Sequence, residues 1–348
     1  MSVEAESEGE DPWAQLSDEK ILQYRICDLH LKMEGSELAE IVQSFYKELE
    51  NKGLQFKPKV YLGDEWFSPE GVPAIAIPFY LAHPRLKALE NKYMLEVEGG
   101  TSDWCHKLLR HEAGHCYDHA YQFSKTRRWR QIFGSPQQPY DPDIYRPRPY
   151  SRNFVRHLDH WYSQSHPDED FAETFAVWLT PDCDWRKLYS NWKGAHKKLE
   201  YIDEMMKKIS NQKPVVTGGP HSYSVSRIKT TLEKYYAKKS KKYAKDYPDF
   251  FDSDLREIFN GDLSLPRRSF GAARFMRRNR KIILDVVSRW TGGKKYTIND
   301  LLKKFTIRCE EIDLKIGKNE TLVCFDVAAY LASLVTHYKF TGTFKRSV

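Results

Sequence analysis

The sequence predicts an α+β fold: a helical lead-in and two short strands, then a long helix, an irregular loop, further helices, and a basic, mainly helical C-terminal region. Three observations lead there. Apolar residues recur at helical spacing over most of the chain, while LQFKPKVYLG and VPAIAIPFYL group β-branched and aromatic residues between Pro and Gly, as short strands do. Positive charge collects late: residues 222–290 hold 17 Lys and Arg against eight Asp and Glu, a surplus of nine where the whole chain has seven. With 348 residues, 41% apolar and 30% charged, the chain is expected to form one large or two modest domains.

The start, MSVEAESEGEDPW, is acidic and lacks the basic and apolar regions of a secretory signal, so residues 1–16 read as an acidic disordered N-terminus. No uninterrupted apolar stretch approaches the roughly 20 residues of a spanning helix. Six cysteines without a Cys-x-x-Cys pair suit free thiols in a reducing compartment. A cytoplasmic protein that does not engage a membrane is expected.

From about Ser17 to Asn51 the spacing predicts two helices broken near Gly35 and Ser36. The two strands follow, and Pro73 and Pro78 place the second at a sheet edge. A helix capped near Thr101 to Asp103 then runs through WCHKLLRHEAGHCYDHAYQF. GSPQQPYDPDIYRPRPYSRN, residues 134–153, has five prolines and no helical period and reads as a long ordered loop. Helix resumes near Pro167 and stops before Pro181, and another helix is expected from Trp185 to Ile209. NQKPVVTGGPHSYS, residues 211–224, reads as a linker between a first domain, 17–210, and the basic region, 225–348.

Within the long helix, HEAGH sets His111 and His115 four residues apart on one face, where both imidazoles can reach a single ion. Zinc suits such ligands. Glu112 is then placed to take a proton from water at that ion. Two histidines at this spacing also occur as ordinary surface or capping residues, but apolar Leu108, Leu109 and Ala113 interleave with them here, and Gly114 is expected to leave room beside the ion. His119 lies about 12 Å along the helix from His111 and reads as structural.

A hydrolytic zinc site needs a third protein ligand. The segment YSQSHPDEDFAETFAVWL, residues 162–179, offers Glu169 and Glu173 one helical turn apart. Spacing alone does not rank the two, the acidic cluster also suits a helix first turn, and His166 is a further candidate. HEAGH followed by EDFAETFAVWL resembles the gluzincin zinc metallopeptidases, and more closely the bacterial zinc-binding metallopeptidase family and lethal-factor-type catalytic domains. The resemblance covers roughly residues 105–180. It implies a zincin-like catalytic domain with a small edge-strand sheet and an HExxH active-site helix, holding one Zn2+ per chain through His111, His115 and Glu169. It further implies Glu112 as general base, Glu173 as the partner of a ligand histidine, and Tyr162, seven residues before Glu169, as oxyanion donor. The bacterial family often carries an N-terminal zinc ribbon, for which this chain has no cysteine pairs.

The expected activity is zinc-dependent hydrolysis of a peptide bond, with an extended substrate lying antiparallel to the strand near Val72 to Leu81. Arg110, Arg152 and Arg156 are candidates for a substrate carboxylate. Two other functions fit the same residues: a non-catalytic zinc-stabilised binding protein for nucleic acid or an acidic partner, and an amidohydrolase for a non-peptide amide. YYAKKSKKYAKDY and FGAARFMRRNRKIIL could meet a polyanion or an acidic peptide substrate, but the spacing of Ile228, Leu232, Tyr235 and Tyr236 looks like core packing, and no nucleic-acid motif is present.

Overall fold

A computed structural model describes residues 11–140, 147–148, 150–159, 161–243, 251–259, 271–317, 319–342 and 344. Residues 1–10 of the acidic N-terminus, residues 141–146 and 149 of the long loop, and parts of both basic runs lie outside the described residues. The described residues divide into two compact units, one within residues 11–93, 97–140 and 147–238, the other within residues 94–96 and 239–344. The architecture is α+β, mostly helical, with one two-stranded sheet among the described residues.

The first unit opens with α1 (Asp18–Ile21), a 3-10 turn (Ile26–Leu29) and α2 (Glu37–Asn51). Gly35, at φ +76°, and Ser36, whose Oγ accepts from the Ala39 amide at 3.4 Å, form the expected break before α2. The first helix is far shorter than its pattern suggested. Its successors pair with a distant segment instead: the Ile26 amide donates to Thr230 O, and the amides of Leu232 and Glu233 donate to Tyr24 O and Leu22 O. Trp13 is buried, its indole N–H donating to Leu29 O at 3.1 Å, so packing begins inside the stretch read as disordered.

Strands β1 (Lys59–Gly63) and β2 (Ala74–Pro78) are parallel, with Val60 opposite Ile75 and Leu62 opposite Ile77. β2 is buried along its whole length, and its other side is met by Phe67, which exchanges backbone hydrogen bonds with Ala76. The chain thus fills, at Ala76, the edge expected to receive a substrate. Helix α3 (Pro84–Met94) follows, then α4 (Ser102–Tyr121), capped by the Thr101 hydroxyl accepting from the Trp104 amide at 3.3 Å. Next come α5 (Arg127–Phe133), α6 (Pro167–Leu179), α7 (Trp185–Leu188) and α8 (Lys193–Ile209). The single helix expected over Trp185 to Ile209 is therefore two, because Asp184 caps a one-turn α7 and the chain bends before Lys193.

Helices α4 and α6 cross closely, and a glycine makes the crossing possible. A Cβ on Gly114 would stand 2.6 Å from Ala172 Cα and 3.0 Å from its carbonyl oxygen. Gly114 therefore serves helix packing, in place of the expected space beside the ion. Nearly all of α6 is buried. Its Asp170 pairs at 2.5 Å with Lys198 of α8, a salt bridge out of solvent.

The segment 211–224 does not end the first unit, which continues to Lys238. The Val215 and Val216 amides donate to Ala120 O, His221 stacks on Tyr61 at 4.6 Å, and α9 (Leu232–Tyr243) buries Leu232 and Tyr236, the latter stacked on Tyr93. Core packing is thus what the Leu232 and Tyr236 spacing does.

The second unit contains α10 (Asp252–Phe259), α11 (Ala272–Thr291), α12 (Lys295–Glu311) and α13 (Glu320–Thr341). Phe259, Phe275, Met276, Ile283, Leu301, Phe305 and Val327 lie in its core. By length and composition α13 is long and apolar enough to cross a membrane, although polar residues interrupt its apolar run. One stripe of it, Val323, Val327, Leu331, Leu334 and Val335, is buried in this unit, while Leu322 and Phe325 are exposed.

Candidate metal centre

The α4–α6 crossing brings the inner face of HEAGH against the acidic first turns of α6. Three donor atoms converge: His111 Nε2 and Glu169 Oε2 are 3.0 Å apart, His115 Nε2 and Glu169 Oε2 3.2 Å, and the two Nε2 atoms 3.3 Å. A tetrahedral ion bonded at about 2.0–2.1 Å holds its ligands about 3.3 Å from one another. His111, His115 and Glu169 thus form a triangle of the size and donor type that zinc takes, and they are the His/Cys/Asp/Glu group among the described residues able to hold an ion.

The two carboxylates of α6 face different nitrogens. Glu173 Oε1 accepts from His111 Nδ1 at 2.8 Å, and its Oε2 accepts from the Leu158 amide at 2.8 Å, with the side chain fully buried. In a neutral His111 this contact would place the single proton on Nδ1 and leave the Nε2 lone pair toward the triangle. Of the two candidates that spacing left open, Glu169 reaches the triangle and Glu173 stands behind it.

Charge in the cluster is strongly coupled. Burial opposes the charged form of His111, but Glu169 and Glu173 on either side of the ring outweigh it and hold its pKa well above the ordinary histidine value. His115 is likewise penalised by burial and raised on balance by Glu169. Burial would raise Glu169, yet His115 and His111 hold it well below the ordinary carboxylate range. Glu112 lies buried in the fields of these three groups, and burial raises its pKa against the lowering effect of His111 and His115. A carboxylate raised in this way is a better base near neutral pH than an exposed one.

Tyr162 starts a 3-10 turn just before α6, its ring 5.7 Å from that of His111. Its hydroxyl lies 2.8 Å from that of Tyr140, which donates to Glu169 Oε1 at 2.9 Å. Tyr140 is the residue that sequence reasoning missed. Its sole signal was membership of the proline-rich loop.

Other candidates lie elsewhere. His166 caps α6, its Nδ1 accepting from the Asp168 amide at 3.2 Å while Nε2 donates to Gln138 O at 3.1 Å, so both nitrogens are used. His119 points to Ser68 Oγ and Val72 O, both at 3.4 Å, in the structural role expected of it. Arg110 is held by both oxygens of Glu48, at 2.6 and 2.7 Å, and Arg156 lies over the rings of Trp192 and Tyr150.

Comparison with known proteins bears on this part of the chain. Residues 106–211 match the family model described as "Putative zinc-binding metallo-peptidase". The matched segment runs from within α4 to just beyond α8 and includes the six residues to which the resemblance gives roles, His111, Glu112, His115, Tyr162, Glu169 and Glu173, as well as Tyr140. It supports assignment to a zinc metallopeptidase family and the reading of the chain as a hydrolase. No curated protein and no solved structure matches the chain.

Proposed function

We propose that the chain is a gluzincin-type peptidase that hydrolyses a peptide bond at one zinc ion held by His111, His115 and Glu169. The observation that carries this reading is the triangle of His111 Nε2, His115 Nε2 and Glu169 Oε2, with separations of 3.0–3.3 Å and Glu112 buried in the same cluster. When bound, zinc would supply Lewis acidity and lower the pKa of water toward about 7.

The chain's own groups do the rest. Glu112 takes a proton from the attacking water and returns it to the leaving nitrogen, a role its raised pKa suits. Glu173 keeps His111 in the tautomer whose Nε2 is a donor toward metal. Tyr162, held neutral because burial pushes its pKa up, donates a hydrogen bond to the developing oxyanion, an interaction typically worth about 3–4 kcal/mol. The presence of Glu112 beside a complete donor triangle favours this over a non-catalytic zinc-stabilised module.

The test is cleavage of a diverse peptide library, followed by mass spectrometry, for the natural chain and Glu112→Gln at equal zinc loading. The natural chain should cleave a defined subset, and Glu112→Gln should be slower by about two to four orders of magnitude. Equal cleavage by both would overturn the mechanism; cleavage of non-peptide amides alone would move the assignment to an amidohydrolase.

A further inference from the structure

We infer that Tyr140 is a positioning residue of this centre, fixing the carboxylate of Glu169 and holding the phenol proton of Tyr162; the inference rests on the metal site proposed above. The hydrogen bonds permit one direction. A carboxylate only accepts, so the Tyr140 proton is directed to Glu169 Oε1, at 2.9 Å. A phenol has a single proton, which leaves Tyr140 only a lone pair for Tyr162 at 2.8 Å, and the Tyr162 O–H therefore donates to Tyr140. The relay runs from Tyr162 to Tyr140 to Glu169.

Two consequences follow from that order. The oxygens of Glu169 divide their work: Oε2 faces both histidine nitrogens while Oε1 is held by Tyr140. The arrangement repeats that of His111, whose Nε2 faces inward while Glu173 holds Nδ1. Outer partners of this kind commonly contribute about 10- to 100-fold to metal affinity. In addition, Tyr162 can donate to an oxyanion only by turning its proton away from Tyr140, so the Tyr140 oxygen competes with the substrate for that proton.

Tyr140 is well placed to act as a fixed partner. Its ring lies 5.0 Å from that of His166, and His166 bonds to Gln138 O two residues earlier. Segment 138–140 is thereby tied to the cap of α6, the helix that carries Glu169. Tyr140 is 43% exposed and lies outside the buried core, so removing its hydroxyl leaves the core intact.

The test compares zinc affinity of the natural full chain, Tyr140→Phe and Tyr162→Phe by competition with a chromophoric chelator, and records the visible spectrum of each Co2+-loaded protein. Tyr140→Phe should bind zinc about 10- to 100-fold more weakly and shift the cobalt bands, whereas Tyr162→Phe, one bond further out, should change affinity less than about threefold. Tyr140→Phe with natural affinity and an unshifted spectrum would overturn the inference, as would Tyr162→Phe weakening zinc equally. A natural chain that binds no zinc would overturn both this and the metal site. A natural chain that binds zinc yet cleaves no peptide would overturn the peptidase reading alone, and the affinity comparison would still decide the role of Tyr140.

Discussion

Replacing Gly114 by alanine would test whether the α4–α6 crossing sets the metal triangle. The new Cβ would stand 2.6 Å from Ala172 Cα, against an ordinary carbon–carbon contact of about 3.5–4.0 Å, and only 3.0 Å from the Ala172 carbonyl oxygen. Both neighbours are backbone, so neither rotates aside, and the helices must part by about 1 Å. Overpacking of this kind costs about 1–3 kcal/mol, offset by about 1 kcal/mol for alanine over glycine in a helix, leaving a net loss of about 0–2 kcal/mol. The effect on zinc should be larger. His111 and His115 lie on α4 and Glu169 on α6, and ligand distances tolerate only about 0.2 Å, so affinity should fall at least about tenfold. Chelator competition, with thermal unfolding of the metal-free chain alongside, reads both quantities. Natural zinc affinity in Gly114→Ala would refute the claim that this crossing sets the triangle.

Two further perturbations probe the surroundings. Glu173→Gln should leave either His111 Nδ1–H or the Leu158 amide without its acceptor and weaken zinc about 10- to 100-fold, read by the same competition; unchanged affinity would remove Glu173 from the site. Lys198→Met should break a buried ion pair and cost about 3–5 kcal/mol in denaturant unfolding, because Asp170 stays behind. Burial already pushes the Asp170 pKa up to about 7, against the lowering effect of Lys198. A carboxylate raised in the folded state loses stability as pH rises from its unfolded value of about 3.9 through the folded one, and losing Lys198 raises it further. The deficit of Lys198→Met should therefore be larger at pH 8 than at pH 5, and a deficit independent of pH would contradict this.

Much of the site could be read from residue type and spacing. His111 and His115 lie one helical turn apart, as do Glu169 and Glu173, and both pairs fall in helices whose caps, Thr101 and His166 followed by Pro167, are local signals. Which carboxylate faces which nitrogen was not legible, because that depends on how far α4 and α6 interpenetrate at Gly114 and Ala172, a tertiary quantity. Tyr140 escaped because it arrives from an irregular loop where no period marks a side chain. Longer-range pairing also overrode local pattern: the helix expected after Ser17 gives way where residues 22–27 meet residues 228–233, and this return is one reason the first unit extends past residue 224. Phe67 caps the inner strand at Ala76 by a bridge that proline positions alone did not foretell.

The central claim is that His111, His115 and Glu169 together hold zinc, and zinc K-edge X-ray absorption of the purified chain tests it most directly. About one zinc per chain, with nitrogen and oxygen neighbours at about 2.0–2.1 Å, two of them imidazoles, and no sulfur, is the expected result. A sulfur shell at about 2.3 Å, or the loss of no imidazole scattering in His115→Ala, would contradict it.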